Sequence, residues 1–167
     1  MVLRRPAIDV ICPMVPKGKP RPRFSRKSGV AYTPADAKKW EAQCAAILAQ
    51  HTPPEPLDGP VIVDMLCVMP RPGYMRKKDR DGNCKFPTGL IFRAKTPDLD
   101  NLYKAVLDVG TTVKYWRDDC QVVCGMLMRA VSELEGEPRI EIMVSELWDT
   151  PEDMWKATRQ RRGSRLL

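Results

Sequence analysis

Histidine occurs once in the 167 residues, as His51, and the six cysteines contain no Cys-x-x-Cys pair. Those two scarcities argue against a zinc site, whose ligands need closely spaced thiolates and imidazoles. Cys12, Cys44, Cys67, Cys120 and Cys124 stand in apolar segments, where a reduced thiol behaves as a small hydrophobe. A reducing cytoplasm is the expected home. No run of about 18 apolar residues is present, so neither a transmembrane helix nor a membrane partner is expected. The opening MVLRRPAIDVICPMVPKGKP has Arg4 and Arg5 but only a short, proline-broken apolar run. It reads as a first strand, not a signal peptide. No internal repeat is visible.

Positive charge is abundant. A net charge of +7 favours a polyanionic partner such as nucleic acid. The length suits one domain with a real core. A strand is expected over 7–15, followed by a basic, proline-punctuated loop with Lys17, Lys19, Arg21, Arg23, Arg26 and Lys27. Thr33-Pro34-Ala35-Asp36 resembles a helix start with Thr33 as N-cap. That helix should run to about residue 51 and bury Ala37, Trp40, Cys44, Ile47 and Leu48 at spacings of three and four. A strand over 60–70 comes next. The basic segment 71–95, which includes Arg76, Lys77 and Lys78, exceeds ordinary loop lengths and reads as a functional flap or a disordered insertion. After a second helix, strands are expected over 120–131 and 139–147. The order β-α-β-α-β-β predicts an α+β fold, a small mixed sheet with helices packed on it. One domain should span 1–150, with a basic tail over 151–167.

Acids are the scarcer charge, and two groups of them stand out. In TPDLDNLYKAVLDV, residues 96–109, Asp98 and Asp100 are one residue apart. On a helix such residues point about 200° apart, whereas in extended chain they share a face. Pro97 biases Thr96 towards extended geometry, and Asp100 before Asn101 suits an N-cap. Residues 98–100 are therefore expected as extended chain entering a helix that begins near Asn101 and ends at Gly110. Lys104 then lies one turn above Asp100, while Leu102 and Val106 are buried. The helix macrodipole favours acids at its start by roughly 0.3–1 kcal/mol. It does not account for Asp118 and Asp119 in WRDDCQVV, at the mouth of a strand. If three of these carboxylates converge within about 4–6 Å, protonation or a cation must relieve their repulsion. Oxygen ligands alone suit Mg²⁺ or Mn²⁺, which can activate water against a phosphodiester. Lys104 would then meet the phosphate or position the water, or else make an ordinary ion pair with Asp100 worth ~0.2–0.5 kcal/mol. Spacing alone does not separate these roles.

Asp98-Leu99-Asp100-Asn101-Leu102-x-Lys104-Ala105, then Asp108, then Trp116-x-Asp118-Asp119-x-Gln121-Val122-Val123 resembles the RusA family of Holliday junction resolvases. The flanking order is similar too: an N-terminal strand, a KPRPR loop, a Tyr-Thr-Pro-led helix and a strand ending Met-Pro, over roughly residues 7–147. The resemblance implies a small homodimeric endonuclease that requires Mg²⁺ and nicks four-way DNA symmetrically. It implies Asp98, Asp100 and Asp119 as metal-binding catalytic carboxylates and Lys104 as the catalytic lysine. Asn101 and Asp118 would support them. Asp108 matches as well, but eight residues into the helix it stays outside the expected metal shell. Segment 71–95 and the basic tail depart from the compact members. DNA contacts are expected at Lys17, Lys19, Arg21, Arg23, Arg26, Lys27, Arg76, Lys77 and Lys78, with salt-dependent binding. Tyr103, Tyr115 and Trp116 are expected in the core or an interface. Two alternatives stand beside this reading: a same-fold nuclease acting on other branched or fork DNA, and a non-catalytic basic DNA-binding module. A module would have no need to gather acids where phosphate must approach.

Overall fold

Apolar and β-branched residues without an interior proline make the strands. The computed structural model describes residues 6–20, 23–24, 29–147 and 151–152. The longest strand, β4 (Val61–Met69), is buried at Val61, Ile62, Val63, Met65, Cys67, Val68 and Met69. Near-continuous burial is the pattern of a central strand, and β4 is paired along both edges. Antiparallel β8 (Arg139–Glu146) lies on one side and is itself paired with antiparallel β1 (Pro6–Cys12). On the other side run two short parallel strands, β6 (Val122–Cys124) and β7 (Leu127–Val131). The two-residue β5 (Ile91–Phe92) closes the sheet against β7, while β2 (Arg23–Phe24) and β3 (Ala31–Tyr32) form a separate ribbon.

Two helices, α1 (Ala35–Leu48) and α2 (Leu99–Thr112), share one hydrophobic cluster with alternate residues of the sheet. Ile8, Val10, Cys12, Val63, Met65, Ile140, Ile142 and Val144 supply the sheet side; Trp40, Cys44, Leu102, Val106 and Val109 supply the helices. The fold is therefore α+β, with a mixed sheet and its helices packed on it. Tyr115 and Trp116 are core residues, 1% exposed each. No described helix is long and apolar enough to cross a membrane.

Boundaries differ from the expectation where a local signal loses to a tertiary contact. Thr33 does not cap α1, because Pro34 occupies the cap position and a 3₁₀ turn at Ala49–His51 follows the helix. The second helix starts two residues before Asn101 and continues past Gly110 to Thr112. Gly110 is there for closeness rather than as a stop, since a Cβ on it would sit 2.5 Å from the Trp116 ring. The single strand expected over 120–131 is broken between β6 and β7, where Met126 N–H donates to the Asp64 carboxylate and Met65 N–H to the Met126 carbonyl. Cys120 is exposed, unlike buried Cys12, Cys44 and Cys67. The basic tail from residue 153 lies outside the described residues.

Segment 71–95 is anchored along its length. Arg71, only 5% exposed, donates to the backbone carbonyls of Met75, Pro87, Gly89 and Ser132. Arg76 donates to the Leu134 carbonyl at 2.8 Å. A small hairpin pairs Lys78 with Cys84 around an Asp79 turn. Replacing Arg71 by Met keeps the volume but leaves buried carbonyls without a donor, at a cost of roughly 1.5–3 kcal/mol. Limited proteolysis of Arg71→Met should show new cleavage within 72–90 while the sheet core survives; an unchanged digest would mean the segment is held elsewhere.

Candidate active site

α2 begins on the DLDN motif. Asp98 is the N-cap residue, extended at φ −67° and ψ 149°, and Leu99 is already helical. The expectation of extended chain through Asp100 is thus corrected by two residues: Asp100 sits in the first turn of the helix. Asp98 makes no side-chain capping bond among the described residues; its backbone carbonyl accepts from Leu102 N–H at 3.1 Å. Both carboxylates are solvent-facing. Asp100, Lys104 and Asp108 follow at intervals of four, so they climb one ridge of the helix.

The second motif is built as a clamp. Asp118 caps a 3₁₀ turn at Asp119–Gln121, accepting from Cys120 N–H at 2.8 Å. Gln121 reciprocates: its amide oxygen accepts from Arg117 N–H and Asp118 N–H, and its amide nitrogen donates to the carbonyls of Leu57 and Gly59. The spacing D-D-x-Q therefore has a mechanical meaning. Asp118 and Gln121 fix the turn to the chain entering β4, and Asp119 is left to point elsewhere. The bond from Cys120 holds the Asp118 carboxyl below its ordinary range.

Asp119 points at Lys104. The lysine ammonium is hydrogen-bonded to the Asp119 carboxylate and lies 3.2 Å from Asp108. These bonds, to Asp119 first and Asp108 second, raise the Lys104 pKa. Asp108 also binds Lys19, whose own N–H donates to the Asn101 carbonyl at 3.2 Å. Neighbouring Lys17 meets Asp36 at 3.4 Å. Lys17 and Lys19 of the basic loop are thereby tied to α1 and α2. A groove of about 530 Å³ opens between α1 and α2, lined by Lys19, Lys38, Glu41, Asp108 and Thr112 among others.

Asp108 is the residue that sequence reasoning set aside. The signal was present, because Lys104 and Asp108 are four apart on a helix, but its second partner, Lys19, lies 89 positions away. Of the expected DNA contacts, Lys17, Lys19, Arg76, Lys77 and Lys78 are exposed or half-buried. Arg21, Arg26 and Lys27 fall outside the described residues, as does the Arg23 side chain.

The acids are the right donors for a hard divalent cation, carboxylate oxygens alone. They are not closed into a cage: among the described residues no three His, Cys, Asp or Glu side chains are grouped so as to hold a metal ion. In this arrangement the cation that Asp119 and Asp108 share is Lys104.

Residues 13–145 match the family model described as endodeoxyribonuclease RusA. The uncharacterized protein YqaN of Bacillus subtilis (strain 168) is 32% identical over 134 residues, covering 79% of this chain and 91% of that protein. With both motifs inside the matched span, the chain belongs to the RusA endodeoxyribonuclease family.

Proposed function

We propose that the protein is a metal-dependent, structure-selective DNA endonuclease that nicks four-way (Holliday) junctions symmetrically, in recombination, repair or phage-type DNA processing in the cytoplasm. The observation that carries this reading is the ion pair of Lys104 with Asp119. It sets the acid of the second motif beside the helix ridge that bears Asp100. In the reaction a water oxygen bonds to phosphorus, the bond from phosphorus to one ester oxygen breaks, and that oxygen takes a proton. Lys104, ion-paired with Asp119, is suited to donate a hydrogen bond to a phosphate oxygen or the leaving oxygen. Asp98, Asp100 and Asp119 would hold Mg²⁺ or Mn²⁺, which supplies Lewis acidity and makes bound water a better nucleophile. Asp118 keeps the turn behind Asp119 in place, and the Asn101 carbonyl anchors the Lys19 loop. Lys17, Lys19 and the exposed Lys77 and Lys78 offer phosphate contacts, so affinity should fall steeply with salt. Two cuts at a two-fold symmetric junction call for two sites related by a two-fold axis, hence a homodimer.

The test is incubation with an end-labelled four-way junction, a linear duplex and a fork, each with and without Mg²⁺. Paired nicks at symmetric positions in the junction, only with metal, are the expected result. Preferential cutting of the fork would mean a same-fold nuclease for other branched DNA. Junction binding with no cutting under Mg²⁺ or Mn²⁺ would mean a non-catalytic module and would end the proposal.

A further inference from the structure

A shallow cavity of about 280 Å³ lies beside the first turn of α2, and nothing above uses it. Its lining includes Phe92, Leu99, Leu127 and Met128, with Arg93 and Arg129. Leu99 stands between Asp98 and Asp100 in the chain, so the cavity adjoins the helical turn that carries both. Phe92, on edge strand β5, is 80% exposed, the most open of the exposed large hydrophobics among the described residues. An aromatic ring left in water forgoes roughly 1.5–3 kcal/mol of burial, which asks what covers it.

The surrounding polar groups answer in part. Arg129 donates to the carbonyls of Arg93 and Pro97, tying the cavity wall to the residue before Asp98. Arg93 N–H donates back to the Arg129 carbonyl at 3.1 Å, while the Arg93 Nε is buried with no hydrogen-bond partner among the described residues. A flat apolar surface edged by guanidinium groups fits a nucleotide, whose base stacks on an aromatic ring and whose phosphate meets the cations. It fits a second copy of this chain poorly. A two-fold contact centred on this patch would bring the Arg93 and Arg129 guanidiniums of both copies into one place.

We infer that this cavity receives a nucleobase that has left the stack at the branch point of the strand to be cut, with Phe92 as its stacking platform. A paired base inside a duplex is not available to it. At a branch point, stacking is already interrupted and extrusion costs least. The cavity thus makes selection of branched DNA a property of the cutting site itself: a strand that offers no loose base is held less firmly beside Asp98 and Asp100. This inference rests on the nuclease reading.

The experiment measures binding without metal, by anisotropy of a labelled four-way junction, the same junction with its branch-point nucleotides made abasic, and a linear duplex. Phe92 is exposed, so Phe92→Ala should fold; Phe92→Trp restores a ring. Phe92→Ala should weaken binding to the intact junction by roughly 5- to 150-fold, the range for one stacked base. It should bind the abasic junction and the duplex as the wild type does, and Phe92→Trp should recover the loss. An equal loss on intact and abasic junctions, or no loss, overturns the inference. So does a loss that follows dissociation of a dimer in sedimentation, which would make Phe92 a contact between copies. In those cases a wild type that still cuts junctions leaves the nuclease reading standing. A wild type that neither binds nor cuts any branched DNA removes both.

Discussion

Asp100→Asn should stop cleavage while leaving junction binding intact or tighter. The substitution keeps shape and removes one negative charge from an exposed position in the first turn of α2. If Asp100 helps hold the ion that polarises the phosphodiester, several kcal/mol of transition-state stabilisation go with it, which lowers the rate by about 10²-fold or more. Binding moves the other way. A charge about 4 Å from a phosphate oxygen repels it by ~1 kcal/mol in a water-like medium, so its removal should tighten the complex by up to about fivefold. Single-turnover cleavage and metal-free anisotropy on one junction separate the two effects. An unchanged thermal midpoint would show that the fold is untouched. Wild-type cutting by the variant would remove the carboxylate reading and leave only a basic surface.

Gly125→Ala should be the most damaging small substitution in the sheet. Gly125 links β6 to β7 as the chain passes along β4, and a Cβ there would lie 2.7 Å from the Val63 carbonyl carbon and closer still to its oxygen. That carbonyl belongs to the central strand and also accepts from the Tyr103 hydroxyl at 3.2 Å. Backbone held on both edges cannot retreat as a flexible side chain would. Overpacking of this kind costs about 3 kcal/mol or more, equivalent to roughly 6–12 °C in thermal midpoint for a chain of this size. The damage should reach the site, because the Asp119 turn leads directly into β6. Melting and cleavage should therefore fall together, whereas Asp100→Asn moves cleavage alone. A stable Gly125→Ala with normal melting would mean that β6 and β7 can slide apart from β4.

Much of this was legible along the chain because its causes are local. The spacing of Ala37, Trp40, Cys44 and Leu48 marked the buried face of α1, and Leu102 and Val106 that of α2. The apolar run at 61–69, interrupted only by Asp64, marked a strand, and paired acids beside a lysine marked a candidate site at the start of a helix. Each of these signals is complete within a turn or two of helix, or within a single strand. What depended on chain closure was not readable. The break of the last strands at Gly125 follows from how close β4 runs. The helical place of Gly110 follows from the Trp116 ring, and the anchoring of 71–95 from carbonyls that converge on Arg71. The partner of Lys104 was sought at Asp100, four residues back; the fold supplied Asp119 and Asp108 instead. By itself the sequence determined the two helices and the longer strands, the sign of the net charge and the motifs of the family. Only the tertiary structure decided which acid each lysine neutralises, because an ion pair depends on distance in space, and Lys19 meets Asp108 across 89 residues of intervening chain.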